Sequence, residues 1–114
     1  MKVVICGSRA ITDKDLVEFL IENSGFEITE VIEGGARGVD KIAGEWATAQ
    51  NLPLTIMKAE WHLYGNRAGP VRNHQMVKAG DAVIAVWDGK SRGTRSTIEY
   101  ANAEKKPVKV WTVN

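Results

Sequence analysis

Six consecutive apolar residues, Ala82 to Trp87, restrict the fold of this chain more than any other feature. The run shows no alternation of polar and apolar residues, so it predicts a strand whose two faces are both buried. It ends abruptly in the small polar loop 88–94, after which a helical pattern begins. A fully buried strand that continues into a helix is typical of a parallel sheet covered by helices.

The same alternation of strand and helix runs along the chain. Apolar runs predict strands at residues 2–6, 29–33, 54–57, 82–87 and 108–113. Helical spacing predicts helices after an N-cap at Thr12 or Asp13, from 39 to about 50, over 71–79 and over 94–105. Residues 59–70 lack any period and predict an irregular loop. We expect one α/β domain over 1–114, a Rossmann-like, doubly wound, mainly parallel five-stranded sheet with helices on both faces.

Several apolar side chains are predicted to form the core. Leu16, Phe19 and Leu20 recur at helical spacing in the first helix. Trp46 belongs to the apolar stripe of the second helix, and Ile84 and Val86 lie in the central strand. The one cysteine, Cys6, ends the first strand and is expected to be a buried packing residue.

Composition excludes several classes of protein. No apolar run approaches the roughly 18 residues of a membrane span, and the N-terminus reads as a first strand, so we expect a cytoplasmic protein without membrane contact. The net charge of +1 argues against strong non-specific binding to nucleic acid, which usually rests on a basic excess. Nothing in the sequence fixes the oligomeric state, and a homo-oligomer stays open.

Three of the predicted strands end in glycine-rich loops that carry arginine. These loops are Gly7-Ser8-Arg9, Gly34-Gly35-Ala36-Arg37-Gly38 and residues 89–94. The carboxyl ends of parallel strands meet at one edge of a sheet, where doubly wound folds bind their ligands. Backbone N–H groups at the start of a helix bind phosphate, and arginine binds phosphate through two parallel hydrogen bonds. The pattern predicts a phosphate-holding site at this edge.

More familiar motifs are absent. Gly89-Lys90-Ser91 is not a P-loop, because the glycine needed five residues earlier is Ile84. No dinucleotide fingerprint follows the first strand. His62 and His74 form no metal-binding spacing, so we predict neither a metal nor a cofactor.

The loops, taken together, resemble a known family. The motifs are Gly7-Ser8-Arg9, Gly34-Gly35-Ala36-Arg37-Gly38-Val39-Asp40, Ala68-Gly69-Pro70-x-Arg72-Asn73-x-x-Met76 and Asp88-Gly89-x-Ser91-x-Gly93-Thr94. In this order they resemble the SLOG superfamily, the Rossmann-like group that contains the LOG phosphoribohydrolases and the DNA-processing protein A family. The most similar branch is the YspA/YpsA-related one. The resemblance covers nearly the whole chain and implies binding of a nucleotide or nucleotide-derived ligand.

The resemblance carries over the catalytic pattern only in part. In the LOG hydrolases an Arg before the central strand and a Glu in G-G-x-G-T-x-x-E are needed to cleave the N-glycosidic bond. Arg72 matches the first, but Thr97 stands at the position of the Glu. Whether the chain is an enzyme is therefore open, with Arg72 and Asp88 as the catalytic candidates.

The predicted ligand-binding residues are Gly7, Ser8, Arg9, Gly34, Gly35, Arg37, Gly38, Asp40, Arg72, Asn73, Asp88, Gly89, Ser91, Gly93 and Thr94. Ser91, Gly93 and Thr94 would hold phosphate and Arg9 and Arg72 would neutralise it. Gly35 and Gly38 would let backbone approach the ligand. Asp88 would bind a sugar hydroxyl, and Trp61 or Tyr64 would stack on a base.

The expected function is binding of this small-molecule ligand by a sensor, carrier or sequestering protein. One alternative is an enzyme of the phosphoribohydrolase type. A further alternative is a module that binds single-stranded nucleic acid.

Overall fold

The computed structural model of the protein describes residues 1–113 and contains one five-stranded sheet. Its strands are β1 (Lys2–Gly7), β2 (Glu30–Glu33), β3 (Leu54–Ile56), β4 (Ala82–Trp87) and β5 (Val108–Thr112). They lie in the order β3-β2-β1-β4-β5, and each neighbouring pair is parallel. The predicted Rossmann-like α/β fold with a five-stranded parallel sheet is confirmed.

Helices connect the strands. They are α1 (Lys14–Glu22), α2 (Val39–Ala49), α3 (Trp61–Tyr64), α4 (Ala68–Ala79) and α5 (Arg92–Ala103), with a 3-10 turn at Gly65–Arg67. The irregular loop predicted for residues 59–70 is wrong, because α3, the 3-10 turn and the first turn of α4 occupy most of it. One exposed helical turn is too short to show a hydrophobic period, so this segment gave no helical signal.

The sheet is covered on both faces. Val17, Leu20 and Ile21 of α1 and the apolar stripe of α2 pack on one face, and Met76 and Val77 of α4 pack with Ala101 of α5 on the other. Of the residues predicted for the core, Leu20, Trp46, Ile84 and Val86 are buried. No helix in residues 1–113 combines the length and apolarity needed to cross a membrane.

The buried face of α1 differs from the prediction by one residue in register. Phe19 is 60% exposed, whereas Val17, Leu20 and Ile21 are buried. Both Leu16-Phe19-Leu20 and Val17-Leu20-Ile21 satisfy helical spacing, so the sequence pattern alone does not choose between them. Packing on the sheet selects the second set.

The strand order reverses at the centre of the sheet. From β1 the chain continues outwards to β2 and β3, then crosses back to β4, which pairs with β1 on its other side. The segments that follow β1 and β4 therefore diverge to opposite sides of the sheet. A crevice forms outside the carboxyl ends of two such strands, and this is where doubly wound folds place their ligands.

Candidate functional site

A cavity of about 390 Å³ lies at the carboxyl ends of β1 and β4. It gathers residues from all three predicted loops and from α4, although these are far apart in sequence. The predicted ligand-binding residues that line it are Gly7, Ser8, Arg9, Asp40, Arg72, Asn73, Asp88, Ser91, Gly93 and Thr94. The topological switch point thus holds most of the residues that the sequence singled out.

The other predicted residues lie beside this cavity. Gly34 and Gly35 line an adjoining cavity of about 300 Å³, which also includes Lys58 and Trp61. The walls shared by the two cavities are Arg9, Ala36 and Arg72. Arg37 and Gly38 line other parts of the surface, and Gly89 lines neither of the two cavities.

Gly38 has a structural role that the sequence did not indicate. Its φ of +75° is strained for any other residue, and an added Cβ would lie 2.6 Å from the carbonyl oxygens of Ser8 and Arg9. Gly38 therefore allows the loop after β2 to contact the loop after β1. That Gly38 also lets backbone approach a ligand stays a prediction, because the contact seen here is with the protein's own backbone.

Asp88 holds the loop between β4 and α5 in shape. Its Oδ1 accepts hydrogen bonds from the N–H groups of Lys90 and Ser91, each at 2.8 Å. Its own N–H donates to Ser8 Oγ at 3.0 Å, which joins this loop to the loop after β1. The N–H groups of Ser91 and Lys90 lower the pKa of Asp88, so its carboxyl is ionised at neutral pH and is a poor proton donor.

The N-terminus of α5 opens into the cavity. The N-cap Ser91 accepts a hydrogen bond from the N–H of Thr94 at 3.4 Å, and the two hydroxyl groups lie 3.2 Å apart. Within residues 1–113 the N–H groups of Arg92 and Gly93 have no acceptor. The first turn of α5 carries no acidic residue. This helix end therefore presents free donors and a positive dipole to the cavity.

Arg72 lines the cavity and also connects separate elements of the fold through its hydrogen bonds. Its Nη1 donates to the carbonyl oxygens of Gly34 at 2.7 Å and Met57 at 3.3 Å, and its Nε donates to Asn73 Oδ1 at 2.9 Å. Asn73 Nδ2 in turn donates to the carbonyl of Gly93 at 3.3 Å. These bonds connect α4 to the ends of β2 and β3 and to the first turn of α5, which fixes the walls of the cavity.

Two buried carboxyl groups follow β2. Asp40 in the first turn of α2 is 5% exposed, and burial raises its pKa to about 6 against the opposing effects of the Ala36 N–H and Arg72. Burial also raises the pKa of Glu33, whose Oε1 accepts a hydrogen bond from the Gly35 N–H. Asp40 lines the 390 Å³ cavity, whereas Glu33 lines a groove on the far side of α2.

Several residues of the cavity were missed as site residues. They are Cys6, Ala10, Ala36 and Met76, and Thr97, which the family resemblance set at the position of the catalytic Glu, lines the cavity as well. Thr97 is 1% exposed and its hydroxyl donates to the carbonyl of Gly93 at 3.1 Å. The spacing of four residues from Gly93 would have placed it on the same face of α5. Burial raises the pKa of the Cys6 thiol, in keeping with the predicted packing role.

The aromatic candidates differ in position. Trp61 is 58% exposed and forms part of the second cavity, but Tyr64 lines neither cavity. Within residues 1–113 no group of three or more His, Cys, Asp or Glu side chains is arranged to hold a metal ion.

Comparison with known sequences gives the family. The sequence model described as the YspA, cpYpsA-related SLOG family matches residues 1–64. The Gene 61 protein of Mycobacterium phage D29 is 35% identical over 117 residues, which cover 94% of this chain and 93% of the phage protein. The chain belongs to this SLOG family. The resemblance inferred from the loop motifs is thus confirmed.

Solved structures show the same fold. DNA processing protein A from Streptococcus pneumoniae superposes with a TM-score of 0.79 at 19% identity, over 99% of this chain and 50% of the other. DNA processing protein A from Helicobacter pylori, which binds single-stranded DNA, gives a TM-score of 0.75 at 23% identity, over 100% of this chain and 66% of the other. The SLOG chain thus spans about half to two thirds of these larger proteins.

Proposed function

We propose that this SLOG domain is a cytoplasmic binding protein for a nucleotide or a nucleotide-derived ligand, with the ligand's phosphate at the N-terminus of α5. The observation that carries the proposal is the pair of N–H groups of Arg92 and Gly93, which within residues 1–113 have no acceptor, at a helix start where Ser91, Gly93 and Thr94 line the cavity. The hydroxyl groups of Ser91 and Thr94 lie beside them. Backbone donors at a helix start bind phosphate well.

Charge supports the same placement. Arg9 and Arg72 form walls of the cavity, and both cations would neutralise a phosphate there. The N-terminus of α2 reaches the same cavity but carries the buried carboxyl of Asp40 in its first turn. An anion is repelled by that carboxylate, so of the two helix starts only α5 suits a phosphate.

The second cavity has the right neighbours for a base. It shares Arg9 and Arg72 with the first cavity and is bordered by the exposed ring of Trp61. A base stacked on Trp61 would leave the phosphate in the larger cavity and the sugar between them. We propose this orientation for the bound nucleotide.

A glycine at the helix start offers the sharpest test. An added Cβ at Gly93 has no neighbouring atom within 4 Å, so a side chain begins in open space there, and we expect Gly93→Val to occupy the proposed phosphate position. Calorimetry with inorganic phosphate and with the nucleoside 5′-monophosphates should show a loss of more than about tenfold in affinity. Ala103→Val is the matched control, because it adds the same branched side chain to an exposed position of α5. Equal affinity of both variants and wild type would place the ligand elsewhere.

Arg9 offers a second, independent test. Its side chain is exposed and lines both cavities. A charge-assisted contact to phosphate is worth about 1.5–3 kcal/mol, so Arg9→Ala should weaken binding about 10- to 100-fold at unchanged melting temperature. Native mass spectrometry of freshly purified protein would identify a nucleotide that co-purifies.

Hydrolysis of the N-glycosidic bond is the second candidate function. Asp40 places one carboxyl in the cavity, but Thr97 occupies the position of the glutamate that the LOG hydrolases need. Asp40 and Asp88 line the cavity, but neither stands on α5, where that glutamate would stabilise an oxocarbenium-like centre. We expect no release of free base from nucleoside monophosphates above the uncatalysed rate. Efficient release that Arg72→Ala or Asp40→Asn abolishes would establish the enzyme instead.

Single-stranded nucleic acid is the third candidate, and the single-stranded DNA binding of the H. pylori protein runs against our expectation that the near-neutral charge disfavours nucleic acid. The specific observation here is the exposed Trp61 beside Lys58 and Arg9, because ring stacking next to cations is how single strands are held. Fluorescence anisotropy with a labelled oligonucleotide tests it. Binding that weakens steeply with salt and with Trp61→Ala would support this function.

A further inference from the structure

Asp40 combines a buried carboxyl with an opening to the ligand cavity. Asp40 is only 5% exposed, yet it lines the 390 Å³ cavity. Its Oδ2 accepts a hydrogen bond from the Ala36 N–H at 3.3 Å. The Gly34 N–H is a second backbone donor that acts on this carboxylate. Two backbone donors still leave acceptor capacity of the carboxylate unused, and a buried carboxylate needs donors to offset its lost hydration.

The carboxyl lies at the junction of the two cavities. A Cβ added to Gly34 would lie 2.9 Å from Asp40 Oδ2 and 2.6 Å from Arg72 Nη1. Gly34 and Arg72 both line the second cavity, and Ala36, which bonds Asp40, lines both. With the phosphate at α5 and the base beside Trp61, the sugar is the part of a nucleotide that reaches Asp40.

The other acidic side chains near the site have other partners. Asp88 Oδ1 accepts the N–H groups of Lys90 and Ser91. Glu33, at the end of β2 where a dinucleotide-binding fold places its ribose-binding acid, accepts the Gly35 N–H and its Oε2 lies against Gly44 of α2. Glu33 faces the groove outside the ligand cavity. Asp40 is therefore the acid best placed for a sugar.

We propose that Asp40 accepts hydrogen bonds from the vicinal hydroxyl groups of a ribose, and that the site selects ribose phosphates over 2-deoxyribose phosphates. The inference rests on the proposed phosphate site at α5. A carboxylate repels phosphate and accepts hydrogen bonds, and with the base placed beside Trp61 the donors that remain for Asp40 are the hydroxyl groups of the sugar. A ligand without the 2-hydroxyl leaves a buried acceptor unpaired, and this loss gives the discrimination.

The test uses probes that carry no base, because the base is unidentified. Ribose 5-phosphate, 2-deoxyribose 5-phosphate and inorganic phosphate are titrated into isotope-labelled protein, and the amide signals of Gly93 and Thr94 are followed. We expect ribose 5-phosphate to bind about 10- to 100-fold more tightly than its deoxy analogue. Asp40→Asn should reduce that ratio to below about threefold while inorganic phosphate binds at least as well as before.

Glu45→Gln is the matched control, since Glu45 is an exposed acid of α2 that does not line the ligand cavity. It should keep the wild-type ratio. Inorganic phosphate that binds at α5, together with equal affinity for the two sugar phosphates, overturns the role of Asp40 and leaves the phosphate site intact. No shift of Gly93 and Thr94 with any probe overturns the phosphate site, and the sugar preference with it.

Discussion

Replacement of Asp40 by asparagine should stabilise the protein, and the gain should depend on pH. Asp40 is only 5% exposed beside the Arg72 and Arg9 cations, and its pKa is raised from an ordinary 3.8 to about 6. Well below the ordinary pKa of 3.8 the carboxyl is neutral in both the folded and the unfolded chain, so burial has no charge cost. Between about pH 4 and pH 6 the unfolded chain releases the proton while the folded chain retains it, and stability falls as pH rises.

The magnitude follows from the two pKa values. Each pKa unit corresponds to about 1.36 kcal/mol. The rise of the Asp40 pKa from 3.8 to about 6 therefore means that the ionised side chain lowers the free energy of unfolding by about 3 kcal/mol at neutral pH. Asparagine keeps an oxygen for the Ala36 N–H but turns an amide towards Arg72 and Arg9. We therefore expect a gain of about 1–3 kcal/mol at about pH 7.5. That is a rise in melting temperature of roughly 4 °C per kcal/mol.

Neighbouring ionisable groups change the size of the stability gain of Asp40→Asn but do not turn it into a loss. The Asp40 charge raises the pKa of Glu33, so its removal also favours ionised Glu33. Asp40 contributes in the same direction to the raised pKa of the Cys6 thiol, which burial keeps protonated throughout. Both effects either add to the gain or leave it unchanged.

The assay is urea unfolding of wild type and Asp40→Asn at about pH 4.5, 5.5, 6.5 and 7.5. Glu45→Gln, on the same helix but exposed, should show no change beyond about 0.5 kcal/mol. A variant less stable than wild type at pH 7.5, or a gain that is the same at every pH, would refute the reasoning. Either result would mean that Asp40 is a structural residue and not a carboxylate kept at a cost for ligand binding.

Three further predictions concern folding. Ile84→Ala, in the fully buried centre of β4, should lower the free energy of unfolding by about 2–5 kcal/mol in urea. Arg72→Ala should cost about 1–3 kcal/mol because the Gly34 and Met57 carbonyls lose their donor, and a melting temperature equal to that of Arg9→Ala would contradict this. Gly38→Ala should cost more than about 2 kcal/mol by thermal melting, whereas Gly25→Ala, with a similar positive φ but open space, should cost about 1 kcal/mol.

The sequence predicted those parts of the fold that local pattern encodes. The β4 run, Ala82–Trp87, is buried on both faces, so its continuous apolar character was sufficient to place it in the centre of a parallel sheet. The position of Asp13 as N-cap of α1 was likewise encoded locally, and its carboxylate accepts the N–H of Leu16. The strand order could not be derived in this way, because it depends on contacts between distant segments.

The site was predicted as a set of loops, but the roles within it depend on long-range contacts. Gly38 and Gly93 each precede or begin a helix in the sequence. Gly38 contacts the backbone of Ser8 and Arg9, whereas Gly93 faces open space. Asp88 and Asp40 both follow a strand in the sequence. Asp88 accepts hydrogen bonds from N–H groups of its own loop, whereas Asp40 is buried beside the cavity. Such differences arise only when loops from separate strands meet.

The two helix starts at the cavity together determine how a ligand can lie. The first turn of α5 has free N–H groups and no acid, and the first turn of α2 has Asp40. A ligand with an anion at one end and hydroxyl groups a few bonds away satisfies both, and the reverse orientation would place the anion against a buried carboxylate. The cavity therefore presents hydrogen-bond donors at its α5 end and a carboxylate acceptor at its α2 end. A sugar phosphate would use both ends, whereas an inorganic anion would use only the α5 end.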